Sequence, residues 1–81
     1  MILNSKPENI NIKLNEDDAI VLFEWLSNFN SKDNTTLFED QAEQRVLFNL
    51  ETELEKNISS VFDNDYKSVL LKARNSIRDK E

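Results

Sequence analysis

Apolar residues recur at intervals of three and four through the middle of the chain. Placed around a helix, Ala42, Val46, Leu47, Leu50, Leu54 and Ile58 fall on one side, the spacing of an amphipathic helix. Neither Pro nor Gly interrupts the run from 37 to 62. Thr36 followed by Glu39 matches a capping box, in which the hydroxyl accepts from an orphan amide and the carboxylate reaches back to the cap. The pattern therefore predicts a helix over about 37–58, on which the rest of the chain would pack. Two residues break its stripe. Glu43 projects from near the middle of the apolar side, and Phe48 points away from Leu50, toward the expected solvent side.

A second helix is predicted over about 16–30. Asn15 precedes Glu16, Asp17 and Asp18, so a capping side chain is followed by three acids at the positive end of the helix dipole. Ala19, Val21, Leu22, Phe23, Trp25, Leu26 and Phe29 cover more than half its circumference. Such a helix should be largely enclosed, with Trp25 in the core. Glu24 lies on its narrow polar side, with Ile20 near it. Asn28 or Asn30 could end it in the left-handed conformation that Gly usually supplies, and the polar stretch SKDNTT reads as a loop.

A third helix is predicted over about 64–79, led by Asp63, Asn64 and Asp65. Its stripe is Tyr66, Val69, Leu70, Ala73 and Ile77, with Leu71 outside it and Arg74, Arg78 and Lys80 toward its C-terminal end. Before the helices, residues 9–14 alternate: Ile10, Ile12 and Leu14 on one side, Asn11 and Lys13 on the other. That is a short strand signature. A lone strand needs a partner for its backbone groups. Ile2 and Leu3 across a turn at Lys6-Pro7-Glu8, the segment 58–62, or a second copy of the chain could provide one. The alternative is an extended arm lying along the helices. The expected architecture is thus mainly α: a short N-terminal β-strand or extended arm followed by a three-helix bundle. The expected core is Leu22, Leu26, Phe29, Val46, Leu50, Leu54, Leu70 and Ile77. All 81 residues make a single domain, with 1–8 expected to be flexible.

Composition narrows the chemistry. The chain has no Cys, no His and no Gly. Thiolate metal sites and disulfides are excluded, as are imidazole bases and ligands, and no Gly-rich phosphate loop can be written. No Ser or Thr has a base placed by motif to activate it. Glu39 and Glu43 stand four apart, but two carboxylates without a third ligand are a poor cation site. No catalytic residue, metal ligand or cofactor is expected, and the chain reads as a non-enzyme. Positions 1–8 hold neither an apolar core nor a basic start, so they do not read as a signal peptide. No apolar run has membrane-spanning length, and a cytoplasmic setting is expected.

Net charge is −6. Residues 1–62 carry twelve acids and five bases, −7, while residues 63–81 carry four acids and five bases, +1. An acidic body disfavours direct contact with nucleic acid or anionic membrane and favours a basic partner. Glu39, Asp40, Glu43, Glu51 and Glu55, with Phe48 among them, form the expected partner-binding face. Glu43, if buried, would need a cation, and Arg74 flanking the last stripe is the best placed for an internal ion pair.

Glu24-Trp25-Leu26 with Phe29-Asn30, FEDQAEQRVL at 38–47, Leu50-Glu51 and Leu54-Glu55, then Phe62, Asp63-Asn64-Asp65-Tyr66 and Ala73-Arg74 resemble a pattern in a family of small, functionally uncharacterised acidic bacterial proteins. The resemblance covers about 14–78. It implies a bacterial cytoplasmic setting and assigns no site residue. The leading expectation is a protein-binding module of the immunity, antitoxin or inhibitor type. A structural subunit or homodimer joined through the N-terminal strand is the first alternative, and a small-ligand or metal-binding domain the second.

Overall fold

The computed structural model describes residues 9–59 and 64–78. Three helices account for most of them: α1, Glu16–Asn30; α2, Gln41–Asn57; and α3, Tyr66–Arg78. A single 3-10 turn, Thr35–Leu37, lies between α1 and α2. The fold is the expected three-helix bundle. The flexibility of 1–8, the turn at Lys6-Pro7-Glu8 and the placement of Phe62 and Asp63 fall outside the described residues.

α1 is the element that the other two share, packing on α2 along one side and on α3 along another. This reverses the expectation that the helix with the clearest period would be central. The physical reason is composition: a helix apolar over most of its circumference gains most by being covered on two sides, whereas one stripe needs only one neighbour. The buried core is Ile20, Phe23 and Leu26 of α1, Leu54 and Ile58 at the end of α2, and Leu70 and Ala73 of α3. Leu14, Leu22, Leu47, Leu50, Tyr66 and Val69 pack against it, partly buried.

α1 starts as anticipated, with the Asn15 side chain accepting from the Asp18 N–H at 2.8 Å. Its end differs. No described residue has a positive φ, and Ser31 stays in the right-handed region at φ −82°. The Ser31 N–H donates to Ser27 O, its Oγ donates to Asn28 O, and the Asn34 side-chain amide donates to Phe29 O. Side chains, rather than a left-handed residue, close the helix.

α2 begins at Gln41, four residues later than expected. Thr36 is not its cap: the Asp33 carboxylate accepts from the Thr35 N–H and Oγ1, which folds 33–37 into a tight turn, and Phe38 is then extended at φ −99°, ψ 139°. Asp40 caps instead, accepting from the Ala42 N–H at 2.7 Å. Glu43, three residues on, reaches back to the Glu39 N–H at 3.0 Å, so Asp40 and Glu43 close the helix start at capping-box spacing, through the Ala42 and Glu39 amides.

α1 and α2 run antiparallel. Leu14, Glu16 and Ala19 at the start of α1 share a pocket with Leu54, Asn57 and Ile58. At its other end the Asn30 side-chain amide donates to Glu51 Oε1 at 2.7 Å and to Leu47 O at 3.4 Å. The N-terminal turns of α2 therefore overhang the end of α1. Ala42, on those turns, and Val46, turned from the core line of Leu47 and Leu54 toward the arm, were expected in the core stripe and are exposed, Val46 by 61%. Residues 9–15 form no strand within the described part; they are extended, with one bridge position at Asn11. Leu14 packs inward and Ile10 lies beside Val46, Leu50 and Glu53. The arm thus follows α2.

Candidate functional site

Three surfaces carry the residues that a packed three-helix domain does not require. The first is the expected acidic face of α2, which the structure divides. Asp40 and Glu43 are spent on capping the helix and Glu39 contributes the backbone N–H that Glu43 binds. Glu51 is half-buried and holds Asn30. Glu55 and Phe48 are exposed, Phe48 by 41%, beside Gln41, Gln44, Arg45 and Asn49 in a depression of about 300 Å³ built from α2 alone. The expected ion pair of Glu43 with Arg74 does not form. Glu43 sits on the overhanging turns of α2, exposed, where no interior desolvation forces it to seek a cation, and the amide at Glu39 satisfies it instead. Arg74 is exposed on α3, which packs mainly on α1.

The second surface is aromatic and was not anticipated. Trp25, expected in the core, is 56% exposed. Its ring stacks on Phe29, one turn later, with centroids 4.9 Å apart and planes 12° from parallel. Phe29 in turn meets the edge of Phe38 at 6.0 Å and 85°. Leu37, next to Phe38, is 66% exposed. The cause is the rotation of α1. Its buried line is Ile20–Phe23–Leu26, so Ile20, placed near the polar side by the sequence, is 1% exposed. Trp25 is correspondingly turned outward. The polar side is also accommodated rather than solvated: Tyr66 of α3 donates its hydroxyl proton to Glu24 Oε1 at 3.0 Å, while Asn28 Nδ2 donates to Oε2 at 3.1 Å. A polar stripe can face a neighbouring helix when that helix brings a donor. The Trp25/Phe29 spacing of four was visible in the sequence as a helix-surface pair; what could not be read was which side of an apolar helix would stay open.

The third surface is a groove of about 580 Å³ between the arm and α2, lined by Ile10, Val46, Asn49, Leu50, Thr52, Glu53 and Lys56. Glu53 and Lys56 form an ion pair at 3.9 Å along its rim. Ile10 is 74% exposed and Ile12 45%.

Two titrating groups are displaced from their ordinary values. Partial burial pushes the Tyr66 hydroxyl up to about 12, and the Glu24 carboxylate, which accepts its proton, adds to that; Arg74 acts weakly the other way. Asp33 is lowered by its bonds to the Thr35 N–H and hydroxyl. Among the described residues no three carboxylates gather where they could hold a cation, and no helix is long and apolar enough to cross a membrane. Comparison of the chain with protein-family models, with curated proteins and with solved structures returns no match.

Proposed function

We propose that this chain is a non-enzymatic protein-binding module, of the immunity, antitoxin or inhibitor-like kind, that offers an acidic surface bearing exposed aromatic side chains to a basic protein partner. The observation that carries the reading is the exposure of large apolar side chains on a strongly acidic domain: Trp25, Leu37, Val46 and Phe48 are all more than 40% exposed on a chain of net charge −6. Large apolar groups left open on a domain this small are what an interaction surface needs, and the acidic charge of the chain selects a partner of opposite sign and speeds its encounter. A bacterial cytoplasmic setting belongs to the same proposal and rests on the resemblance of 14–78 to small acidic bacterial proteins.

The test is affinity capture from the native host with the full chain as bait. A protein retained at low salt and released at high salt is expected. If nothing is retained above background at low salt, the reading fails.

A homodimer assembled through the N-terminal arm is the second reading. It is favoured by one observation, the exposure of the Ile10 and Ile12 side chains on the N-terminal arm. Light scattering that reads a monomer at high concentration would remove it.

A further inference from the structure

Charge and exposed aromatic surface coincide in one part of the chain. Residues 14–44 carry eight acids and a single base, Lys32, for −7; the remaining residues carry eight acids and nine bases, for +1. The segment that holds essentially all of the net charge is the one that turns Trp25 outward and stacks it on Phe29 and Phe38. No basic residue occurs in α1. Phe38 forms the wall of a depression of about 280 Å³ whose other lining includes Thr35, Glu39 and Asp40. Both acids are exposed. Phe38 offers a cation a ring face, and the Glu39 carboxylate, with the Asp40 oxygen that does not cap α2, offers counter-charge.

We infer that the Trp25–Phe29–Phe38 strip docks a cationic amphipathic segment of a partner protein. Its apolar side chains would cover Trp25 and Phe29, and an arginine would enter the depression beside Phe38 between Glu39 and Asp40. Charge complementarity selects this occupant. A second copy of the chain would bring another −7 segment against the first, and like charges at an interface oppose association. A nucleic acid or an anionic membrane is repelled for the same reason. Arginine suits the site better than lysine because its flat, weakly hydrated guanidinium stacks on rings while still meeting carboxylates. The inference rests on the protein-binding reading above and assigns its surface and the chemistry of its partner.

The experiment is isothermal calorimetry of the full chain against a synthetic helical peptide of leucine and arginine. The same peptide with glutamate for arginine serves as control. One-to-one binding of the arginine peptide and none of the glutamate peptide is expected. Trp25→Ala and Phe38→Ala should each weaken it by about tenfold or more, as for aromatic anchors at other interfaces. Leu71→Ala, which alters an equally exposed apolar residue on α3, should leave it unchanged. Circular dichroism checks that each variant stays folded. Binding that survives Trp25→Ala and Phe38→Ala overturns the assignment, as does a homodimer that Trp25→Ala disperses, which would put a second copy on the strip. Capture from the host separates the two levels. A host protein held equally by wild type and Trp25→Ala overturns the strip while leaving the module reading intact, whereas nothing held by either overturns the module reading itself.

Discussion

The two halves of α2 carry one apolar stripe and meet two different fates. Leu54 is 2% exposed in the core, while Val46, two turns earlier on the same helix, is 61% exposed. They also differ in angle: Val46 lies about 80° around the helix from Leu54, on the side that lines the groove beside the arm. The difference combines that angle with the reach of the neighbour: α1 ends at Asn30, and Asn30 meets α2 at Leu47 and Glu51. Residues of α2 on one side of that level have a helix to pack against, and those on the other side overhang. Periodicity identifies which side chains share a broad face, but burial is decided by which line of that face the partner meets and how far the partner reaches.

The sharpest way to break this comparison is to truncate both ends of the stripe. Leu54→Ala should destabilise the domain by about 2–5 kcal/mol, the range for emptying a packed aliphatic site. In a domain this small such a loss approaches the whole stability. Val46→Ala should change stability by no more than about 0.5 kcal/mol, as exposed helix positions do. Urea denaturation reads both, and equal losses would mean that the overhang is packed after all.

The level at which α1 ends can be tested next. Asn30→Ala removes the donor that joins α1 to Glu51 and Leu47, and should cost about 1–2 kcal/mol, the scale of a partly buried hydrogen bond to a charged acceptor. Glu51→Gln, which keeps an acceptor oxygen, should lose less than Asn30→Ala in the same urea assay. An Asn30→Ala midpoint equal to wild type would remove the pin from the account.

The smallest effect concerns the other side of α1. Tyr66→Phe deletes the bond to Glu24 and should cost about 1 kcal/mol near neutral pH. Its pH dependence is more informative. The folded state holds the Tyr66 proton up to about 12, above the ordinary value of 10.0. The stabilisation is therefore complete below pH 10 and is lost as pH rises from 10 toward 12, because the unfolded chain gives up the proton first. Thermal melts across that window should fall more steeply for wild type than for Tyr66→Phe. Parallel curves would mean that Tyr66 and Glu24 are not paired.

Much of the site was legible in part. The exposure of Phe48 and Leu71 follows from a single-stripe helix, where the side away from the stripe has nowhere to go but solvent. The role of Glu43 was also written in the chain, since Asp40 and Glu43 stand at capping-box spacing just as Thr36 and Glu39 do. Two boxes competed, and Asp33 settled the matter by drawing Thr35 into its own turn. Trp25 was different. On a helix apolar over most of its surface, several rotations bury nearly the same amount, and propensity and pattern do not choose among them.

The sequence by itself determined that this is an acidic three-helix chain with an extended arm. Helix periodicity, the Asn15 cap and the absence of Gly and Pro from the helical runs act locally, and local interactions are readable from neighbours along the chain. Only the tertiary structure decided that α1 rather than α2 is the shared helix, that Ile20 lies inside and Trp25 outside, and that Glu24 finds Tyr66 forty-two residues away. Those outcomes depend on the relative lengths and rotations of packed helices. Such quantities arise from the contest of three surfaces for one small core, and no single segment contains them.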